Sequence, residues 1–256
     1  MTVLMGLRER LFLARLQLIT DIRRDEGDWP AFVAAVLDAG VDLLQVRDLV
    51  ASRHDRLEAL KVAIAIAADR RKAVVVGADS ALAAVVGADY LHLGAADGPV
   101  AINRAHLPHA SLVGRSVHSG AQLADAAADP GVSYLFVGPV LTPPSATVRE
   151  VPGLDLVREA ASVLPPFALD SRPWFAVGGV NLDTLDRVVD AGARRVAVSA
   201  AITRADDPGA AARALSDRLR RAWEDDPASA GYAERVLGGQ EVATFRRPPA
   251  EPDPRA

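Results

Sequence analysis

The sequence of 256 residues contains no cysteine, and only two of its 29 basic residues, Lys61 and Lys72, are lysines. The lack of cysteine excludes disulfides, thiolate nucleophiles and zinc–sulfur sites. Neither lysine is predicted to end a strand, which argues against Schiff-base chemistry. Because 50% of the residues are hydrophobic, the chain has enough apolar surface to form a large core.

The sequence also lacks a long uncharged apolar run and a concentrated basic patch. Its apolar stretch over residues 1–18 is interrupted by Arg8, Arg10 and Arg15, so neither a signal segment nor a membrane span is predicted. The formal net charge of −4 argues against a nucleic-acid partner. Together with the missing cysteine, these features predict a cytoplasmic protein without a nucleic-acid or membrane partner.

A turn of small residues runs directly into an apolar strand at four places along the chain. The glycines of these turns are Gly40, Gly87, Gly131 and Gly192. A glycine that ends a helix just before an apolar strand is typical of the connections in a parallel sheet. These turns recur at intervals of about two strand–helix units, which predicts a parallel sheet that closes on itself. The predicted fold is therefore α/β, a (β/α)8 TIM barrel.

The hydrophobic pattern predicts strands and helices in alternation. The predicted strands are 16–20, 42–47, 73–77, 90–93, 111–116, 134–138, 174–178 and 195–199. The predicted helices are 30–38, 54–70, 80–86, 101–106, 120–128, 154–163, 181–191 and 208–224. Residues 1–15 are predicted as a helical lead-in and residues 16–224 as the barrel. Residues 225–256 mix proline, glycine and charge, which predicts a flexible tail. The alternative is a short helix near Tyr232–Leu237 that packs on the barrel.

The residues that follow the strands of such a barrel face a common mouth, where an active site is expected. Gly178 and Gly179 follow the seventh predicted strand, and Ser199 and Ala200 follow the eighth. Because glycine lets peptide N–H groups approach an oxyanion, and a helix begins beside them, this corner predicts a phosphate site. The alternative is that the glycine pair only forms a tight turn.

Two further strands end in side chains that carry chemistry. Ser116 and His118 share one side of the fifth predicted strand, and Gln45 and Arg47 share one side of the second. A histidine in the mouth is suited to move protons near neutral pH, although it also serves as a hydrogen-bonded wall residue. An inward arginine needs an anionic partner, either Asp21 or a substrate.

The fourth predicted strand ends close to one carboxylate and one further histidine. Asp97 is the candidate ligand for Mg²⁺, although a single carboxylate does not identify a metal site by itself. His92 lies between Leu91 and Leu93, so a structural role is predicted for it.

Several segments together resemble the superfamily of thiamine phosphate synthase and thiazole tautomerase. They are LITD, AGVDLLQVRD, GADYLHLG, VGRSVHS, VGPVLTP and PWFAVGGVNLDTLDRVVDAGARRVAVSAAI, and they span residues 16–208. The resemblance implies a (β/α)8 barrel, a homodimer and a phosphorylated thiazole substrate. It also implies one of two reactions. The synthase uses Mg²⁺ to join hydroxymethylpyrimidine diphosphate to the thiazole phosphate and releases diphosphate, whereas the tautomerase aromatises the thiazole by proton transfer and needs no cofactor.

The sequence departs from the synthase pattern at the diphosphate site. The QxRxK motif reads Gln45, Arg47 and Leu49, so its lysine is missing. The Asn-Asp pair after the third strand reads Gly77-Ala78, and the Thr-x-Thr-Lys segment after the sixth reads PPSA at residues 143–146. A diphosphate carries about three negative charges, and burying anions without cations or donors costs several kcal/mol each.

These departures lead to three predicted functions. The first is an isomerase that aromatises the thiazole tautomer, with His118 transferring the proton and Gly178 and Gly179 holding the phosphate. The alternative is a thiamine phosphate synthase with an altered diphosphate site, in which Arg149 replaces the lysine and Asp97, the remaining metal carboxylate, binds Mg²⁺. The third is a non-catalytic barrel that binds a phosphorylated metabolite.

Overall fold

The computed structural model describes residues 5–141 and 151–238. Over these residues, parallel strands pair in chain order and the last pairs with the first, which closes a barrel. The strands are β1 (Leu16–Thr20), β2 (Leu43–Val46), β3 (Ala73–Gly77), β4 (Tyr90–Leu93), β5 (Leu112–Val117), β6 (Tyr134–Val137), β7 (Trp174–Val177) and β8 (Val196–Val198). The predicted (β/α)8 barrel is confirmed, and each predicted strand overlaps an observed one.

Helices connect the strands, and further helices lie before the first strand and after the last one. They are α1 (Leu7–Leu13), α2 (Trp29–Asp38), α3 (Arg53–Asp69), α4 (Ser80–Val86), α5 (Val100–Arg104), α6 (Gly120–Ala128), α7 (Gly153–Val163), α8 (Leu182–Asp190), α9 (Ala200–Thr203), α10 (Pro208–Glu224) and α11 (Tyr232–Leu237), with a 3-10 turn at Pro227–Ser229. The sequence pattern misses α9, because four residues are too few to show helical periodicity. None of the helices described here has the length and hydropathy that a membrane crossing requires.

The strands separate two apolar cores. Residues such as Leu18 and Leu44 point outward and pack against the helices. Residues such as Leu43, Val75 and Phe175 point inward and fill the lumen. Because successive side chains of a strand point to opposite faces, this alternation determines which residues reach the mouth of the barrel.

The amino-terminal end of the barrel is closed by α1, which packs against α11. Arg195, fully buried at the start of β8, joins them. Its guanidinium donates hydrogen bonds to the carbonyl oxygens of Phe12 (2.7 Å) and Pro166 (3.0 Å) and to the Tyr232 hydroxyl (3.1 Å). The charge has no carboxylate partner among the residues described and lies 5.0 Å from the Trp223 ring centroid. Burial therefore lowers the pKa of Arg195.

Part of the predicted tail packs on the barrel. Tyr232 and Val236 of α11 are buried in a cluster with Phe12 and Trp223. This helix corresponds to the alternative from the sequence, in which a short helix near Tyr232–Leu237 packs on the barrel. Residues 239–256 of the predicted tail lie outside the described residues.

Replacing Arg195 by methionine tests this closure. The variant is expected to unfold with a free energy about 1–3 kcal/mol lower than the wild type, because the part-buried carbonyl of Pro166 would lose its donor and the buried carbonyl of Phe12 would keep only the longer hydrogen bond from the Tyr232 hydroxyl, at 3.3 Å. Urea denaturation followed by circular dichroism measures the change. As a control, Arg220→Ala removes an arginine of α10 whose ion pairs lie in solvent, and its midpoint should not move. An Arg195→Met midpoint equal to that of wild type would contradict this role.

Candidate active site

A cavity of about 470 Å³ opens at the carboxyl ends of the strands. Of the residues predicted from sequence, those that line it are Gln45, Arg47, Asp97, Ser116, His118 and Gly178. The lining does not include Gly179, Ser199 or Ala200. These three follow β7 and β8, which pair with each other, and are exposed at the rim.

Arg47 extends from the end of β2 into the cavity, and Gly77 leaves room for it. A Cβ atom at Gly77 would lie 2.9 Å from the Cβ and 3.1 Å from the Cγ of Arg47. Asp21, one predicted partner, instead accepts a hydrogen bond from the Arg23 backbone N–H at 3.0 Å. Within the described chain Arg47 has no ion-pair partner and is exposed. It therefore offers an uncompensated positive charge to a ligand.

Gln45 lies below Arg47 on the same face of β2 and is buried in the lumen. Its Oε1 accepts a hydrogen bond from Nε2 of Gln17, a residue of β1, at 2.9 Å. Because the amide oxygen is engaged, the NH₂ group of Gln45 is the part that remains for a ligand.

His92 and Ser116 form a contact on the inner wall. Ser116 Oγ lies 2.9 Å from His92 Nε2, and the imidazole stacks on Phe136 with ring centroids 3.7 Å apart. Gly114 pairs with His92 across β4 and β5, and a Cβ atom there would lie 2.6 Å from His92 Nδ1. The glycine thus provides the space in which the imidazole lies.

His92 lines the cavity, whereas its flanking leucines predict only a structural role. The alternation that turns Leu91 and Leu93 outward turns His92 inward. Burial lowers the pKa of His92 to about 3, and the positive charges of Arg47 and Arg115 act in the same direction. The imidazole is therefore neutral at physiological pH.

His118 follows β5 at the edge of the cavity. Its Nδ1 lies 2.5 Å from the carbonyl oxygen of Gly138, and its backbone N–H donates to Oε1 of Gln122 at 2.7 Å. A carbonyl oxygen only accepts, so we infer that Nδ1 carries a proton. In the neutral ring, Nε2 is then the nitrogen that can accept a hydrogen bond from a ligand.

Asp97 lies in the loop between β4 and α5. Its Oδ2 accepts a hydrogen bond from the Gly94 N–H at 2.6 Å, and its own N–H donates to the Gly94 carbonyl at 3.1 Å. The other carboxylate oxygen forms no hydrogen bond with the described residues. One oxygen is thus fixed by the loop, and one remains for a ligand.

These residues fit a Mg²⁺ ion that takes one carboxylate from the protein and its other ligands from substrate and water. Over residues 5–141 and 151–238, no three His, Asp or Glu side chains group together as a metal site. The end of β3 carries Gly77 and Ala78, which offer no side-chain oxygen. Mg²⁺ commonly takes one or two protein carboxylates and completes its shell with substrate phosphate and water, and Asp97 fits that pattern.

The turn after β7 exposes bare backbone at the rim. Gly178 and Gly179 have φ values of 98° and 73°, and a Cβ atom at Gly178 would lie 2.7 Å from Pro139 Cβ. Asn181 and Thr184 then form a capping box that begins α8. The turn itself requires glycine, and it also leaves the backbone open to an anion beside a helix amino terminus.

Comparisons with known proteins agree with this architecture. The family model described as thiamine monophosphate synthase matches residues 16–202. Thiamine-phosphate synthase of Streptomyces avermitilis is 44% identical over 84% of this chain and 98% of that protein. The enzyme of the same name from Thermobifida fusca is 46% identical over 83% of this chain and 95% of that protein. The solved structure of thiamine phosphate pyrophosphorylase from Pyrococcus furiosus has a TM-score of 0.72 and 25% identity, and it covers 85% of this chain and 99% of that one.

The prediction of a tautomerase as the leading function is wrong in the light of these comparisons. The relatives that are 44–46% identical over most of the chain carry the name of the synthase. The departures at Leu49, Gly77 and Ala78 therefore do not indicate an isomerase. Residues 143–146 and Arg149, on which the sequence analysis also relied, lie outside the described residues.

The low pKa of His92 leads to a prediction about stability in acid. The unfolded state binds a proton near pH 6.5, whereas the folded state does so only near pH 3. The titration of His92 therefore leaves the free energy of unfolding unchanged above about pH 6.5. Below this pH it lowers the free energy of unfolding by about 1.4 kcal/mol per pH unit.

Urea denaturation at several pH values between 5 and 7.5 measures this effect. The free energy of unfolding of the wild type is expected to fall more steeply toward pH 5 than that of His92→Gln, which keeps a polar side chain near Ser116 but does not titrate. Parallel pH profiles for the two proteins would contradict the low pKa.

Proposed function

The chain belongs to the thiamine monophosphate synthase family, and from this membership we propose that it joins hydroxymethylpyrimidine diphosphate to a thiazole phosphate and releases diphosphate. The resemblance found in the sequence motifs is thereby confirmed, and the protein is an enzyme of this superfamily. One observation supports the reaction best. Arg47 and the Gly178 turn stand on different walls of one cavity, so two anionic substrates have separate binding positions.

In this proposal the phosphoryl group of the thiazole binds at the turn after β7 and at the start of α9. Gly178 and Gly179 offer backbone without side chains, and Ser199 offers a hydroxyl group at the rim. Ala200 has no hydroxyl group, so it contributes only its peptide N–H. These donors suit one phosphoryl group.

The diphosphate binds on the opposite side, against β2 and β5. Arg47 offers the planar donor fork that matches phosphate oxygens, Gln45 offers its free NH₂ group, and Ser116 offers a hydroxyl group. Leu49, at the position where the resemblance implies lysine, is 76% exposed and adds no charge. Among the residues that the structure describes, Arg47 therefore supplies the positive charge that binds the diphosphate in this altered site.

The reaction itself exchanges one bond for another. The methylene carbon of the pyrimidine leaves an oxygen of the diphosphate and bonds to the ring nitrogen of the thiazole. Mg²⁺, held by Asp97, would supply positive charge to the leaving diphosphate. No proton moves to or from carbon in this exchange, so we assign His118 to substrate binding, with Nε2 accepting a hydrogen bond. The homodimer and the cytoplasmic location stay predictions.

An assay with both substrates tests the proposal directly. The purified protein with hydroxymethylpyrimidine diphosphate, thiazole phosphate and Mg²⁺ is expected to form thiamine phosphate, detected as fluorescent thiochrome after oxidation, together with one diphosphate per turnover. Omitting either substrate should abolish the signal. Tight binding of the thiazole phosphate without any product would contradict the synthase and favour the non-catalytic barrel among the predicted functions.

Two substitutions on β2 and its loop test the diphosphate side. Arg47→Leu is expected to raise the KM for the pyrimidine diphosphate by about 10–100-fold, the effect of one lost hydrogen bond to a charged group. The KM for the thiazole phosphate should stay near its wild-type value. Leu49→Lys should lower the KM for the diphosphate substrate, because it adds a charge beside Arg47. Equal effects of Arg47→Leu on both substrates would contradict the separate positions.

A further inference from the structure

The loop that carries Asp97 is held from outside the barrel wall. On β5, Ser116 faces the lumen, so its neighbour Arg115 faces the helices. The register of β4 and β5 places Arg115 beside Leu93, the last residue before that loop. The arginine side chain therefore begins at the base of the loop and extends along its outer side.

The guanidinium of Arg115 bridges two carbonyl groups of this loop. Nη1 donates to the carbonyl oxygen of Gly98 at 2.7 Å, and Nη2 donates to that of Ala95 at 3.2 Å. Asn103 of α5 adds a third contact, because its Nδ2 donates to the carbonyl of Asp97 at 2.9 Å. With its carbonyls bound from outside, the loop keeps the Asp97 carboxylate on the cavity side.

The donors of Arg115 are committed to the loop and not to an ion pair. No carboxylate in the described part of the chain lies within salt-bridge distance of the guanidinium. The side chain lines a second cleft of about 320 Å³ between α5 and α6. This cleft adjoins the active-site cavity and shares Ala95 and Ser116 with its lining, and a small solute that enters it reaches the side chain of Arg115.

We propose that Arg115 is a positioning residue, which holds Asp97 at the diphosphate side of the cavity. This inference rests on the proposed function. A fork with two donors spans the carbonyls of Ala95 and Gly98 at once, whereas the single ammonium of a lysine reaches one at a time. Residues that orient a metal-binding side chain typically change metal affinity by about 10–100-fold when they are replaced.

The first test measures ligand binding and not turnover. Mn²⁺ replaces Mg²⁺ as a paramagnetic probe, and its affinity in the presence of inorganic diphosphate is followed by electron paramagnetic resonance. Arg115→Ala and Arg115→Lys are expected to bind Mn²⁺ about 10–100-fold more weakly than the wild type. Affinity for the thiazole phosphate, which binds at the turn after β7, should stay unchanged. Wild-type Mn²⁺ affinity in Arg115→Ala would overturn the proposal.

Chemical rescue separates positioning from a general loss of structure. The alanine variant leaves a hole beside the cleft, so millimolar guanidinium is expected to restore Mn²⁺ affinity in Arg115→Ala. It should have no effect on Arg115→Lys, in which the hole is filled. The double variant Arg115→Ala with Asp97→Asn should be no weaker than Asp97→Asn alone. Additive losses in the double variant would overturn the proposal, because Arg115 would then act through another group.

Arg172 offers a matched control at the other end of the barrel. Its guanidinium also clamps loop carbonyls, donating to Val132 at 2.9 Å and to Asp129 at 2.8 Å. Arg172→Ala is expected to lower stability but to leave the affinity for Mn²⁺ with diphosphate at its wild-type value. An equal loss of that affinity in Arg172→Ala would show a non-specific effect and would overturn the proposal.

Amide hydrogen exchange distinguishes a failure of this inference from a failure of the proposed function. If the wild type forms no thiamine phosphate and binds no Mn²⁺ with diphosphate, the proposed function fails. The exchange of residues 94–98 still reports on the clamp. It should become faster in Arg115→Ala and not in Arg172→Ala, and unchanged exchange in Arg115→Ala would overturn the clamp itself.

Discussion

The alternation of side chains along short parallel strands is the constraint on which the candidate site depends. On β5 it turns Ser116 into the lumen and Arg115 toward the helices, and on β4 it turns His92 inward between two outward leucines. A slip of one residue in either strand would exchange these positions. The inner wall of the site and the outer support of its loop therefore follow from the same backbone geometry.

Glycine complements this alternation, because missing side chains leave space that functional groups occupy. Gly77 gives room to the stem of Arg47, and Gly114 gives room to the ring of His92. These neighbours come from adjacent strands, so the shape of the cavity is set by pairs of residues on neighbouring strands. Such pairs hold a side chain without a hydrogen bond to it, and the donors of Arg47 stay free for a ligand.

Much of the fold could be predicted from the sequence, because the eight apolar runs and the glycine turns are local signals. The inward positions of Gln45 and Arg47 follow from strand parity in the same way. The clamp on Asp97 could not be predicted, since it joins Arg115 to carbonyls 17 and 20 residues away, and carbonyls carry no sequence signal. The tautomerase prediction failed because it counted the missing lysines and the missing metal ligand one position at a time. The same change that removes a side chain at Gly77 gives space to Arg47.

The charges around the cavity show why an outside arginine suits this site. On the described walls Arg47 is the cation, Asp97 is the carboxylate that would hold Mg²⁺, and His92 is neutral, so the anionic substrates rely on Arg47, on that metal ion and on uncharged donors. A metal-binding carboxylate serves its ligand best when its orientation is fixed by the groups around it, so a fixed loop suits Asp97. Arg115 supplies that support without a carboxylate partner, and its charge still acts across the wall, since it helps to lower the pKa of His92. A clamp built from an acid–base pair would hold the loop equally well but would remove this positive charge from the field that the substrates meet.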